Sequence, residues 1–330
     1  MTATATSALV ITTSDPAEHA GRSDPPTRGA IVAIVGPTAT GKSDLAVEVA
    51  LRLDGEVVNG DAMQLYRGMD IGTAKLTVAE RRGVAHHQLD VLDVTQEASV
   101  AAYQQRARAD LRAIAQRDRT PILAGGSGLY VRAALDRLDI PPTDPAVRAR
   151  LEAELGELGV DALRARLLAV DPVAAQRIEA RNDRRIIRAL EVHEITGRPF
   201  SASMPAREHL APTVIIGLTL ERGELDERID ARTRWMWDRG LLGEVQHLLA
   251  DGLERGRTAR TALGYAQAIA QLRGEITEAE AIAATAHATR RFARRQLSWF
   301  RPDPRIHWFP ADATDLVDRV LEALAVTHNG

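Results

Sequence analysis

Cysteine is absent from the 330 residues, which excludes a disulfide framework, a thiolate metal site and a thiol nucleophile. Lysine is nearly absent. Lys42 and Lys75 are the only two, and arginine carries the rest of the positive side-chain charge. A general leaning towards arginine codons accounts for that bias. One of the two lysines nevertheless stands where a compact ammonium has to reach a phosphate, a task that arginine fits poorly. No apolar run approaches the ~20 residues that span a bilayer, so no membrane partner is expected. The net charge of −3 gives no global sign of a nucleic-acid partner. With 45% apolar and 26% charged residues the chain reads as globular, long enough for one large domain or two modest ones.

The first 28 residues, MTATATSALVITTSDPAEHAGRSDPPTR, lack a basic start and carry Asp15, Glu18 and Asp24. That composition speaks against a signal or transit peptide and for a disordered extension on a cytoplasmic protein.

From there the pattern alternates. Ala30–Val35 is a short β-branched run ending at Gly36, and Leu45, Val49 and Leu53 recur at helical spacing over Ser43–Leu53. Further strands are expected at Glu56–Asn59, Thr120–Ala124, Thr213–Leu220 and Arg305–Phe309, with a helix over Val100–Arg117. The alternation predicts an α/β class built on a parallel sheet. Between Pro141 and about Pro212 the strand signals vanish and helix formers dominate, which reads as an all-helical insertion over 141–211 in a core made of 29–140 and 212–330. A long helical tract runs from Asp226 to Arg301.

Gly36-Pro37-Thr38-Ala39-Thr40-Gly41-Lys42-Ser43 fits G-x-x-x-x-G-K-[ST] and lies between strand and helix, as that motif requires. Its glycines let backbone N–H groups turn inward, the helix N-terminus adds positive potential, and Lys42 adds a full charge. Ser43 is placed to ligate Mg²⁺ through its hydroxyl. The motif does not name the phosphate ester, and ATP or GTP is the usual occupant. Two features argue otherwise. The strand Glu56–Asn59 is weakly apolar and runs into Asp61, while Thr120–Ala124 ends in GGSG with no acid.

The segments Asp61–Lys75 (DAMQLYRGMDIGTAK), His86–Asp90 (HHQLD), Gly125–Tyr130 (GGSGLY) and Arg185–Val192 (RIIRALEV) resemble the tRNA dimethylallyltransferase family. So do Leu263–Gln267 (LGYAQ) and Arg294–Arg301 (RRQLSWFR), and the matches run in order from about 30 to 310. DIGTAK together with GPTATGKS is the specific part. Ala62 stands where the family often has Ser, and Ser127 and Ser298 where it often has Thr.

The resemblance implies a P-loop NTPase-like fold and transfer of a dimethylallyl group from its diphosphate to the exocyclic amine of adenosine 37, beside the tRNA anticodon. The loop would then grip a leaving diphosphate, with Mg²⁺ as cofactor. Asp61 is the base expected to take the amine proton, with a Mg²⁺-supporting or capping carboxylate as the plainer alternative. Arg132, Arg222 and Arg232 are candidate clamps on the diphosphate, and a solvated helix arginine is the alternative for Arg132.

The family match further implies tRNA contacts from Asp61, Ala62, Met63, Gln64, Ser127, Arg148, Arg184, Arg185, Ile186, Ile187, Arg188, Arg260, Gly264, Tyr265, Arg294, Arg295, Gln296, Trp299 and Arg301. Arg177, Arg181, Arg184 and Arg188 are spaced as one helical face that would neutralise phosphates of the anticodon stem-loop. Trp299 could stack on a splayed base or sit in the core. His86–His87 is awkward as a metal pair, since neighbours in a strand point to opposite faces. Trp235, Met236 and Trp237 read as helix packing residues. The protein is expected to act as a monomer. Competing readings are an enzyme that prenylates AMP and a P-loop ATP-dependent kinase or RNA-binding switch.

Overall fold

The computed structural model describes residues 29–203 and 207–326; the tail over 1–28, expected to be disordered, lies outside them. Ile31–Val35 (β1) consists of β-branched residues and one alanine and is buried throughout, which suits a strand covered on both faces. With it stand Gly55–Asn59 (β2), His86–His87 (β3), Thr120–Gly125 (β4), Thr213–Thr219 (β5) and Ile306–Pro310 (β6). They form one sheet in the order β3-β2-β4-β1-β5-β6, and every pair is parallel. This is the parallel α/β sheet read from the alternation, in the P-loop NTPase-like fold that the resemblance implies. β3 pairs only with Val57 and Val58 and is too short to leave a hydrophobic pattern.

Helices Val100–Gln116 (α2) and Gly128–Leu135 (α3) cover one face of the sheet, where Tyr103, Leu111 and Val131 meet Val58 and Leu123. Lys42–Arg52 (α1) covers the other, where Leu45 and Val49 meet Ile34 and Ile216; the last helix, Leu316–Val326 (α11), joins it there. A parallel sheet points all its strand ends to one edge. The segments leaving β1, β2 and β4 therefore meet there, the usual place for a ligand.

The described residues of 141–211 hold three α-helices, Pro145–Val170 (α4), Pro172–Arg177 (α5) and Asp183–Thr196 (α6), and α4 is broken at Gly159 (φ 79°). They share a core of their own around Leu151, Leu163, Leu167, Ile186 and Leu190. The chain enters and leaves this group side by side, with Arg137 N–H donating to Glu208 O and Leu210 N–H to Leu135 O, both at 2.8 Å. One expectation fails here. Arg177 closes α5 and Asn182 caps α6, so Arg177 and Arg181 do not continue the helical face of Arg184 and Arg188.

The tract expected from Asp226 to Arg301 is four helices, Arg222–Asp238 (α7), Leu241–Ala250 (α8), Tyr265–Leu272 (α9) and Glu278–Phe300 (α10). Met236, Trp237, Leu241 and Tyr265 from these helices close over Tyr66 and Met69, giving the helical layer its own core. Thr277 and Glu280 form a reciprocal cap that starts α10.

Candidate active site

The phosphate loop leaves β1 at Gly36, where a Cβ would lie 2.6 Å from the Leu218 carbonyl oxygen, so only glycine allows the turn beside β5. Ala39 (φ 65°) and Gly41 (φ 77°) are left-handed, and Gly41 is the N-cap of α1. Thr40 Oγ1 donates to Pro37 O at 2.9 Å and Lys42 Nζ to the same carbonyl at 2.6 Å, so the ammonium folds back over the loop. Burial pulls the Lys42 pKa down to about 8; the nearby Asp61 carboxylate opposes the shift and the Arg232 guanidinium adds to it. An anion in the cradle restores the missing counter-charge.

Asp61 follows β2. Its N–H donates to Asn59 Oδ1 and its carbonyl accepts from Asn59 Nδ2, both at 2.9 Å. Asp61 Oδ1 accepts the Met63 N–H at 2.9 Å and so caps the short 3₁₀ turn Met63–Leu65. The backbone and one carboxylate oxygen are thus held in place. Asn59 is itself fixed, with its carbonyl accepting from Tyr103 O–H at 2.8 Å.

Gln296 and Arg232 brace the loop against the rest of the fold, and Ser127 braces the segment beside it. Gln296, buried in α10, accepts the Thr38 N–H at 2.9 Å and donates to Gly126 O at 3.0 Å. Arg232 Nη1 donates to Thr38 Oγ1 at 3.1 Å. Ser127 Oγ accepts the Ala62 N–H at 3.3 Å, tying the segment after β4 to the one after β2.

Two cavities meet at these residues. A small polar cleft is bounded by Lys42, Ser43, Asn59, Asp61, Gln64 and Gln296. A larger cavity of about 370 Å³ is walled by Met63, Ile229, Met236, Leu263 and Phe292. Thr38, Asp61, Thr73 and Arg232 line both. An open groove on the outer side of the loop also reaches Lys42, Ser43 and Arg232 and runs to the exposed Trp235. The site therefore offers a cationic phosphate cradle, an anionic carboxylate and an apolar chamber in direct succession.

Residues 64–303 match the family model described as IPP transferase. The chain belongs to that family. The tRNA dimethylallyltransferase of Streptomyces avermitilis is 60% identical over 288 residues, 87% of this chain and 92% of the relative. That of Thermobifida fusca is 60% identical over 304 residues, 91% and 95% of the two chains. Among solved structures, the tRNA isopentenylpyrophosphate transferase of Bacillus halodurans is 40% identical with a TM-score of 0.67, covering 91% of this chain and 97% of the other. A eukaryotic dimethylallyltransferase acting on tRNA, 24% identical with a TM-score of 0.78, shares the fold over 91% of this chain and 79% of its own.

In this chain the structure gathers Thr38, Lys42, Ser43, Asp61, Gln64, Arg232 and Gln296 around the cleft, and Ala62, Met63, Ser127 and Arg295 at the apolar cavity. Arg132 is elsewhere. Its Nε donates to the buried Asp136 at 2.8 Å, and it lines a separate cavity beside Arg305 and Trp299. Arg222 is the exposed first residue of α7, outside the lining of both cavities.

Several residues expected at the tRNA surface are committed inward. Ile186 and Ile187 are buried in the core of α4–α6, because the amphipathic face of α6 needs them there. Tyr265 is fully buried and donates to Glu244 Oε1 at 2.6 Å, and Gly264 is buried beside it. Gln296 braces the loop. Trp299 packs one side against Gly128, where a Cβ would come within 1.9 Å of the indole, yet it stays exposed at the surface. Arg148 and Arg188 both bind the buried Glu191, at 2.6 and 2.8 Å. Arg184, Arg185, Arg260, Arg294 and Arg301 are exposed.

His87 Nε2 lies 2.6 Å from Glu56 Oε2, and His86 Nδ1 lies 2.9 Å from Val84 O. Met236 and Trp237 pack as expected; Trp235 does not, lying exposed with the Arg239 guanidinium over its ring. The apolar wall went unread in the sequence, although its signal is present. Ile229, Arg232, Thr233 and Met236 recur at i, i+3, i+4 and i+7, as do Thr285, Thr289 and Phe292 at i, i+4 and i+7.

Proposed function

We propose that this chain transfers a dimethylallyl group from dimethylallyl diphosphate to the exocyclic amine of adenosine 37 in tRNA, giving N6-isopentenyladenosine and diphosphate. One observation carries the reading: Asp61 stands where the phosphate cleft opens into the apolar chamber. A nucleotide hydrolase has no use for a hydrocarbon pocket at that place, whereas an isoprenoid diphosphate fills both. The sequence likeness to tRNA dimethylallyltransferases supports the same reading.

The diphosphate lies in the loop of residues 36–43 with its oxygens facing backbone N–H groups, Lys42 and Arg232. These donors are preorganised where negative charge grows as the C1–O bond breaks. Ser43 and Asp61 offer hard oxygen donors to one cleft, a set that suits Mg²⁺, which would offset diphosphate charge when bound. The allyl carbon becomes cationic beside the apolar wall of Met63, Ile229, Met236, Leu263 and Phe292. The adenine leaves its stack and presents its amine to that carbon. As the N–C1 bond forms, the N–H proton passes to the Asp61 carboxylate, and the electron pair of the C1–O bond leaves with the diphosphate.

The exposed arginines Arg184, Arg185, Arg260, Arg294 and Arg301 supply phosphate contacts with the anticodon stem-loop, so tRNA affinity falls steeply with salt. In this division of labour the helical group over 141–211 serves tRNA binding and the remaining core serves catalysis. Incubation with dimethylallyl diphosphate and tRNA, AMP or ATP separates this reading from its rivals. Nucleoside mass spectrometry is expected to find isopentenyladenosine in the tRNA. ATP consumption without that product would overturn the proposal, and product on AMP alone would favour the nucleotide prenyltransferase.

A further inference from the structure

Residues 70–75 form one wall of the site: Gly72 and Thr73 bound the apolar cavity, and Thr73 and Ala74 bound the phosphate cleft. The segment belongs to no helix or strand; turn bonds run within it, from Ala74 N–H to Ile71 O at 3.0 Å and from Lys75 N–H to Asp70 O at 2.9 Å, and Gln64 Nε2 donates to Thr73 O at 3.2 Å. Ala74 also sits at φ 46°, a backbone state that a non-glycine residue leaves readily unless it is held.

An anion from another element ties the wall to the helical layer. Three consecutive amides converge on the Glu244 carboxylate of α8: Asp70 N–H at 3.1 Å and Ile71 N–H at 2.7 Å reach Oε2, and Gly72 N–H reaches Oε1 at 3.3 Å. Tyr265 O–H donates to Oε1 at 2.6 Å. Successive N–H groups arranged in this way form an anion-binding nest, and here the chain supplies its own anion. Tyr265 closes the arrangement from behind. A Cβ on Gly72 would lie 2.4 Å from its ring, so phenol and loop backbone are in direct contact. At its far end the wall is pinned by Lys75, whose Nζ donates to Tyr66 O at 2.9 Å, Asp70 Oδ1 at 2.5 Å and Asp90 Oδ1 at 2.6 Å.

We infer that Glu244, with Tyr265, is a positioning residue for the diphosphate donor: by filling the amide nest it sets the 70–75 wall against the phosphate loop. Glu244 touches no reacting atom. Its influence passes through Thr73 and Ala74 to the cleft, and so to donor affinity more than to the chemical step. This inference rests on the prenyl-transfer reading for the identity of the donor, but its test does not need turnover.

The probe is inorganic diphosphate, titrated calorimetrically into the full-length wild-type protein and into Glu244→Gln and Tyr265→Phe. An amide at 244 presents donor to donor at one of its two positions. About tenfold weaker diphosphate binding is therefore expected for Glu244→Gln, and about threefold for Tyr265→Phe, which keeps the carboxylate in the nest. With dimethylallyl diphosphate and tRNA, KM for the donor should rise by the same factors while kcat changes less than threefold and tRNA affinity stays constant. A merely structural role would lower Tm without this split. Unchanged diphosphate affinity in a folded Glu244→Gln protein overturns the inference, and so does unchanged affinity in Tyr265→Phe if the first variant fails to fold. No diphosphate binding by the wild-type protein instead overturns the reading beneath it, and the inference falls with it.

Discussion

Gln296 and Thr38 lie 258 residues apart, and the Gln296 amide oxygen accepts the Thr38 N–H at 2.9 Å while its amide nitrogen binds Gly126 O at 3.0 Å. One buried side chain at the end of α10 thus fixes the spacing between the phosphate loop and the segment after β4. Replacing it with leucine leaves two backbone groups unpaired. Gln296→Leu should lower stability by about 1–3 kcal/mol in urea unfolding and weaken diphosphate binding. Wild-type stability and affinity in this variant would show that the bridge is incidental.

Asp61 caps the Met63–Leu65 turn and, in the proposed reaction, accepts a proton. Asparagine keeps the capping oxygen and removes the base. Asp61→Asn should therefore cut kcat by about 10²–10⁴-fold while tRNA affinity stays within threefold of wild type. A parallel collapse of tRNA binding would reassign the carboxylate to a structural role.

Arginines 132 and 232 should separate cleanly. Arg132→Ala leaves the buried Asp136 with Arg305 as its remaining close partner, at 2.8 Å, so the expected loss is roughly 1–3 kcal/mol of stability with an unchanged donor KM. Arg232→Ala removes a cation at the junction of the two cavities, so the donor KM should rise at least tenfold. Thermal melts and steady-state kinetics on the two proteins decide the matter. Equal effects on KM would return Arg132 to the diphosphate.

The lowered pKa of Lys42, about 8, makes two statements about pH. In the free protein the unfolded chain holds this proton more tightly, so stability should rise with pH between about 8 and the ordinary lysine value; the burial penalty is fully present below about 8. Activity runs the other way. The charged ammonium is the form that grips phosphate, so kcat/KM for the donor should fall as pH rises through about 8, while bound diphosphate moves the limb in kcat to higher pH. A kcat/KM profile that stays flat to pH 9.5 would contradict the assignment of Lys42.

The sheet was legible because its strands are short β-branched runs whose meaning is local, and GPTATGKS named its own turn. The cradle therefore followed from residues 30–53 alone. What stayed hidden depends on partners far along the chain. Nothing near Gln296 reveals Thr38, whereas Arg132 has Asp136 four residues on, and that i, i+4 spacing is itself the local sign of the pair. Ile186, Ile187 and Tyr265 belong to segments that carry the family likeness, and they sit in it as packing residues that shape surfaces rather than form them. The arginine spacing from 177 to 188 misled for a simpler reason: Asn182 caps a new helix inside it.

The scarcity of lysine has a practical consequence. Lys75 is buried and triply bound, which leaves Lys42 as the sole half-buried ε-amine of the chain, with burial favouring its neutral, reactive form near pH 8. An amine-directed acylating reagent, which on most proteins stains the whole surface, would here have the N-terminus and the phosphate cradle as its chief targets. Labelling stoichiometry at Lys42 becomes a direct count of vacant cradles, and protection by diphosphate becomes an occupancy measurement that needs no tRNA.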